Sequence, residues 1–507
     1  MSEAQVAASQ PAGLRYASGP GRWVLLATVL GSTMASIDAT VVGIALPAIG
    51  HDFHSSLATL QWVVTAYTLT LAGLLLFAGA LGDKYGRKRI FVIGVAWFAV
   101  ASALCGIAPD APFLIGARAV QGVGAALLTP GSLAIIEASF RPDDRGKAIG
   151  AWSGFGGVGA AIGPFLGGWL IQAVSWRLIF FINLPLAVLV MAISLRHVPE
   201  SRDPAATGPV DVVGGALVTA GLIGLTYGLI EGPTVGWTKP SPLAALIGGC
   251  LLLAAFVWWE HRTAEPMMPL SLFASAQFSA ANVVTFAVYG ALGGALFLLP
   301  IQLIQVSGYT PLQAGISLLP ITVIMLALSA RSGALAARIG PRLQMTVGPL
   351  VIAAGLALFV RIDHSGNYLT EVLPAMLVFG FGLAINVAPL TATVLAAAPA
   401  EHAGMASAVN NDVARAAGLI AVAVLPAAAG LTGAAYLHPA KFSAGFHTAS
   451  LISAGLCVIG GAVAAVFIRN PRKAPTEAAP AQCPVSCGLD APPARAAVTV
   501  PADRQQT

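Results

Sequence analysis

Two residues of opposite charge, Asp38 and Arg118, each interrupt an apolar run long enough to cross a lipid bilayer, Trp23 to Ile49 and Pro112 to Ile136. A guanidinium in hydrocarbon costs about 3 kcal/mol or more, and it cannot escape by losing its proton. Such a charge is retained where it faces protein and finds a partner. At 1.5 Å rise per residue, Asp38 lies about 22 Å from the inner end of its run and Arg118 about 8 Å from the outer end of its own. In a core of ~30 Å both fall in the outer half at similar height. Loss of water favours the neutral acid, while a facing guanidinium favours the carboxylate. Substrate or water between the two shifts the balance toward protonation. The chemistry such a pair supports is a proton switch, with Asp38 binding the proton and Arg118 tuning it. The alternative is a static pair that fixes packing.

The elements that position this pair are helices. The chain has 507 residues, 57% hydrophobic and 9% charged, against roughly 25% charged in soluble domains. Its charges cluster, and the gaps between clusters match a membrane-crossing helix. Fourteen spans are expected, at 23–49, 60–81, 90–107, 112–138, 148–174, 178–195, 211–230, 243–260, 279–304, 312–337, 343–361, 371–397, 404–432 and 446–468. With the N-terminus inside, nineteen of the 26 Lys and Arg residues fall in inside segments, four outside and three within spans. That excess predicts both termini on the cytoplasmic side of the cell membrane.

The net charge of +5 reads as topology. No basic patch suggests nucleic acid as a partner, and no G-x-x-x-x-G-K-[ST] loop suggests ATP. Cys483 and Cys487 have no second Cys or His pair beside them, so no metal site is expected. No nucleophile, base and orienter can be assembled, so neither an enzyme nor a cofactor is expected. Cys105, Cys250 and Cys457 read as core fillers within spans.

The chain contains a repeat. Gly79-Ala80-Leu81-Gly82-Asp83-Lys84-Tyr85-Gly86-Arg87-Lys88 ends the second span, and Gly333-Ala334-Leu335-Ala336-Ala337-Arg338-Ile339-Gly340-Pro341-Arg342 ends the tenth, 254 residues later. The predicted organisation is a tail at 1–22, a six-helix bundle at 23–196, two extra spans with linkers at 197–276, a second six-helix bundle at 277–468 and a disordered cytoplasmic tail at 469–507. A parallel repeat of this kind places a substrate site near the midplane between the halves.

Here the chain resembles the major facilitator superfamily, over about residues 20 to 470. Gly79, Asp83, Gly86, Arg87 and Lys88 match its loop signature between the second and third spans. The fourteen-span layout resembles the drug:proton antiporter branch, of the multidrug and quaternary ammonium efflux type. The resemblance implies an all-α integral membrane protein of the major facilitator fold, with two six-helix bundles and two extra central helices. In the family, Asp83 acts as a latch that caps a helix N-terminus in the other half, here the thirteenth span near Gly404.

The fifth span carries Gly150, Gly159, Gly163, Pro164, Gly167 and Gly168. Gly159, Gly163 and Gly167 recur every four residues, so they line one face and admit a neighbouring helix. Pro164 removes a backbone donor and bends the helix. The whole spacing resembles the family's antiporter motif, which implies export. The run from Arg118 through Gln121 to Gly124 resembles its proton-coupling motif. Polar residues within spans are candidates for a midspan substrate cavity: Gln61, Tyr67, Gln121, Asn183, Gln302, Gln305, Asn386, Asn410, Asn411 and Arg415. Asp412 and Arg415, three apart, are expected to neutralise each other.

The implied function is proton-coupled export of a lipophilic small molecule by alternating access, with protons and the lipid bilayer as the other partners. Symport, lipid export through a sideways-opening cavity, and a non-transporting sensor are the alternatives.

Overall fold

The computed structural model describes residues 13–204, 208–263, 266–399, 403–433 and 438–470. The expected tails, 1–12 and 471–507, lie outside the described residues, and Cys483 and Cys487 with them.

Among the described residues, fourteen helices are long and apolar enough to span a membrane. They are α1 (Gly19–Asp52), α2 (Leu57–Tyr85), α3 (Arg87–Gly106), α4 (Ala111–Ser139), α5 (Pro142–Ala173), α6 (Leu178–His197), α7 (Val212–Val235) and α8 (Pro240–Arg262). Then follow α9 (Ala276–Val306), α10 (Pro311–Ile339), α11 (Pro341–Arg361), α12 (Tyr368–Ala396), α13 (Ala403–Ala428) and α14 (Pro439–Phe467). Helices satisfy every backbone group within one segment, which hydrocarbon demands. Among the described residues the one β contact is an isolated bridge from Leu14 to Phe140.

Local sequence sets the ends. Ser18, Ser56, Asp110 and Ser275 accept backbone N–H groups at the starts of α1, α2, α4 and α9. Thr310 and Gln313 form a reciprocal capping box at the start of α10. The repeat is visible in the backbone: α2 ends on Gly86 at φ +118°, and α10 ends on Gly340 at φ +85°. Each glycine turns the chain directly into the next helix, with a φ that side-chain-bearing residues avoid.

The extra pair α7–α8 closes on itself through Gly221, Gly224, Gly228 and Gly249, whose missing side chains admit the facing helix. The pair docks on α2, where Thr219 Oγ1 donates to the Gly73 carbonyl at 3.0 Å and Trp62 Nε1 donates to Glu231 at 2.9 Å. Leu222 of α7 also joins Leu69 and Ala72 of α2 and Leu419 of α13 in one apolar cluster. The extra helices therefore cover the seam between α2 and α13. Cys105 and Cys457 are buried as expected, but Cys250 is exposed on α8. It lies on a helix that packs on one side only, so a span position did not imply burial.

Candidate functional site

Five helices converge on Asp38. Its helix α1 carries it inward at 1% exposure, opposite Arg118 of α4 at 1%. Arg118 Nη1 donates to Asp38 Oδ2 at 2.5 Å and to Gln121 Oε1 at 2.6 Å. Arg118 and Gln121 stand three apart on α4 and so share a face. Gln121 Nε2 donates to Asp38 Oδ1 at 2.8 Å, and Asn183 Nδ2 of α6 donates to the same oxygen at 3.1 Å. Asn183 also donates to Ser102 Oγ of α3 at 3.0 Å, and Ser102 donates to the Phe180 carbonyl at 2.8 Å. From α2, the Val63 carbonyl accepts from Arg118 Nε at 3.2 Å. The Tyr67 ring lies 4.3 Å from the guanidinium carbon, a contact in which the ring face offsets part of the lost hydration.

The charges cancel within the cluster, and both carboxylate oxygens meet donors. That is the condition for a buried ion pair to be tolerated. Gln121 and Asn183, expected in the substrate cavity, hydrogen-bond Asp38. Ser102 and the Val63 carbonyl had no sequence signal, because nothing local distinguishes one small residue or one carbonyl among many.

The α5 glycines sit against the acid's own helix. A side chain on Gly159, Gly163 or Gly167 would collide with Thr33, Thr40 or Val41 of α1 respectively. Thr40 is two residues from Asp38, and Gly163 also approaches the Ile37 carbonyl at 3.4 Å. On a different face of α5, a side chain on Gly168 would strike the Pro311 carbonyl and, at 2.8 Å, Leu312 Cα, both of the second half. Gly315 of α10 would strike the Pro164 carbonyl in the same way. One helix thus touches the acid's helix on one side and seals the two halves on the other. Gly150, by contrast, has no neighbour within 4 Å.

This seal lies at the end of the molecule opposite the basic loops. Gln61 lies there too, donating to the Val422 and Ala423 carbonyls of α13 at 2.6 and 3.3 Å. Expected at midspan, it stands instead in the first turns of α2, which begins at Leu57. Gln302 likewise sits in the final π-helical turn of α9, donating to the Ile362 carbonyl at 3.1 Å and Ser443 at 3.2 Å. At the basic end, Gly154 and Gly156 of α5 have no neighbour within 4 Å.

In the α2–α3 loop, Arg87 Nε and Nη2 both reach Asp83 Oδ1 at 2.7 Å. Glu200, from the linker after α6, accepts the Lys88 and Arg89 backbone N–H groups at 3.1 and 3.2 Å and so caps α3. A Cβ on Gly86 would lie 2.8 Å from the Glu200 carboxyl. The loop glycine therefore serves its backbone turn and the approach of this acid together. Among the described residues Asp83 pairs with Arg87 and does not cap α13.

In the second half, Asn410 Nδ2 donates to Asn282 at 3.0 Å and Thr285 at 2.7 Å of α9. Asn411 is exposed and bonds its own helix at Ser407. Asn386 is fully buried on α12, with neither amide atom hydrogen-bonded. Among the described residues Asp412 and Arg415 form no direct ion pair, and Asp412 Oδ1 and Arg415 Nε lack hydrogen-bond partners, although the Arg415 charge acts on Asp412 as their spacing suggests. At the opposite end Arg177 has a partner on α1. It pairs with Asp52 at the end of α1 at 2.8 Å, beside Trp176, which donates to the same oxygen at 3.0 Å.

A family model described as Major Facilitator Superfamily matches residues 28–423. The chain is 36% identical over 421 residues to the "Tetracenomycin C resistance and export protein" of Streptomyces glaucescens, covering 83% of this chain and 77% of that one. It is 38% identical over 393 residues to "Multidrug resistance protein Stp" of Mycobacterium tuberculosis (strain CDC 1551 / Oshkosh), covering 76% and 72%. Its fold is similar to the crystal structure of a bacterial homolog of the human lysosomal transporter Spinster, inward-facing and occupied. The TM-score is 0.64 at 17% identity, covering 88% of this chain and 97% of that one.

Proposed function

The chain belongs to the Major Facilitator Superfamily, and from that premise we propose that it exports lipophilic small molecules across the cytoplasmic membrane in exchange for protons. The basic end is cytoplasmic, with both termini there. Residues 23–196 and 277–468 are the two bodies that rock, and 197–276 contributes the extra pair. Asp38 carries the proton. Arg118, Gln121 and Asn183 hold it when ionised, and the glycine face of α5 transmits its state to the seal formed by Pro164 and Gly168. The Asp83–Arg87 pair exchanges for a cap on α13 when the cytoplasmic end closes. Gln61, Gln302, Asn386, Asn410, Asn411 and Arg415 contribute to the walls of the substrate path, and Tyr67 links Arg415 to Arg118.

The observation that carries this reading is the fully buried Asp38–Arg118 pair on a helix packed against the α5 glycines. Resistance and export in the names of the relatives support the direction of transport. The test is efflux of a lipophilic cationic dye from proteoliposomes under an imposed pH gradient. Asp38→Asn is expected to abolish gradient-driven efflux while dye binding persists. Undiminished gradient-driven efflux in that variant refutes the role of Asp38.

A further inference from the structure

A second pair of acids converges at the basic end of the α7–α8 hairpin, apart from the Asp38 cluster. Asp211 caps α7, its Oδ1 accepting the Gly214 backbone N–H at 2.8 Å. The Trp259 indole donates to both Asp211 oxygens, at 3.0 and 3.1 Å. Glu260, in the last turn of α8, is 3% exposed. Its Oε2 accepts the Met268 backbone N–H at 2.9 Å, while its Oε1 has no hydrogen-bond partner.

The unpartnered oxygen is aimed at Asp211. The position a Cβ would take on Gly214 lies 2.8 Å from Glu260 Oε1 and closer still to Asp211 Oδ2. Both oxygens border the gap that glycine leaves, each within 2.8 Å of that one position. Among the described residues no Lys, Arg or His forms an ion pair with either acid. Asp211 is the charged group that faces Glu260, with backbone N–H groups of Met267 and Met268 on the other side. The neighbours His261 and Arg262 are exposed, and Arg262 lies over the Trp258 ring at 5.3 Å.

Two carboxylates this close, without a counter-charge, do not both ionise. A buried acceptor without a donor is also costly. One proton removes both difficulties, bonded to one oxygen and donated to the other. We propose that Asp211 and Glu260 share a single proton in mildly acidic solution, in a carboxyl–carboxylate hydrogen bond that clasps the end of α8 to the start of α7. The clasp holds the hairpin closed next to α2. Its inference stands on hairpin geometry and is independent of the transport reading.

The test is infrared spectroscopy of the full-length protein in nanodiscs. In mildly acidic buffer the wild type is expected to show a protonated-carboxyl stretch that disappears on titration to alkaline pH. Glu260→Gln and Asp211→Asn each supply an amide N–H in place of the shared proton, so each is expected to fold and to lose that component. Asp38→Asn is expected to keep it. Absence of any such band in the wild type overturns the proposal, as does its survival in both hairpin variants. Loss of the wild-type band on adding sodium ions at fixed pH also overturns it, because the pair then holds a metal cation.

Discussion

The two six-helix halves share a backbone and divide the chemistry unequally. Both turn from their second helix into their third on a glycine at positive φ, Gly86 and Gly340. Both press their first helix closely against their fifth, but with glycine on opposite partners. In the first half Gly159, Gly163 and Gly167 of α5 receive α1. In the second, Gly290, Gly293 and Gly294 of α9 receive Ala417, Gly418 and Leu425 of α13. Charge is not repeated. The α9 helix holds no acid or base, and Ala337 and Pro341 stand where the first half has Asp83 and Arg87. Close helix packing is needed for either half to form, and glycine on either partner supplies it. A buried charge is costly wherever it stands, and in the first half Asp38 and Arg118 stand directly paired.

The largest test of that contrast is Arg118→Ala. It leaves the Asp38 carboxylate buried and uncompensated, which costs about 3–5 kcal/mol. The expected result is a large drop in thermal midpoint in detergent, together with loss of gradient-driven efflux. In the second half, Asn410→Ala removes neutral hydrogen bonds to Asn282 and Thr285, a loss of about 1–3 kcal/mol. Equal midpoints for the two variants would remove the asymmetry between the halves.

A smaller effect separates the two glycine stripes. Gly163→Ala drives a methyl into Thr40, whose hydroxyl is committed to the Ser36 and Ile37 carbonyls at 3.0 and 3.1 Å. Overpacking of this kind costs about 1–3 kcal/mol. Gly294→Ala meets the far end of the flexible Leu425 side chain. Thermal midpoints and efflux rates are expected to fall further for Gly163→Ala. The reverse order would place the rigid helix contact in the second half.

The architecture was legible because hydrocarbon imposes a length. Once charges cluster at intervals of a span, fourteen helices follow, and the repeat at 254 residues fixes which helix answers which. Asp38 and Arg118 were legible because charge inside a span is rare. What surrounds them was not. Gln121 and Asn183 carry no mark that distinguishes a partner of Asp38 from the wall of a cavity. Glu200 reaches the α3 N-terminus from 112 positions away in the chain, and nothing local to Gly86 announces it. Asp412 and Arg415 show how far spacing reaches. Three apart on α13, they stand near enough for one charge to act on the other, but spacing along a helix sets proximity and not a direct ion pair.

The smallest expected effect returns to an amide of the second half. Asn386 is buried on α12 without a hydrogen bond to either atom, and its Cβ lies 2.7 Å from where Gly348 would carry one. A polar group in this position costs stability and gives nothing back to the fold, whereas Arg118 is tied on every side. Replacing it by a side chain of the same branching, Asn386→Leu, removes the unpaired amide. Removing such a group is nearly neutral or stabilising, by up to about 1 kcal/mol. The thermal midpoint is therefore expected to hold or rise slightly. If Asn386 contributes to the substrate path, the apparent KM for dye efflux rises in the same variant while the midpoint does not fall. A midpoint drop on the scale of Arg118→Ala would mean that this amide has a partner as demanding as Asp38. The second half would then contain a buried polar centre of its own, and the division of labour between the repeats would not stand.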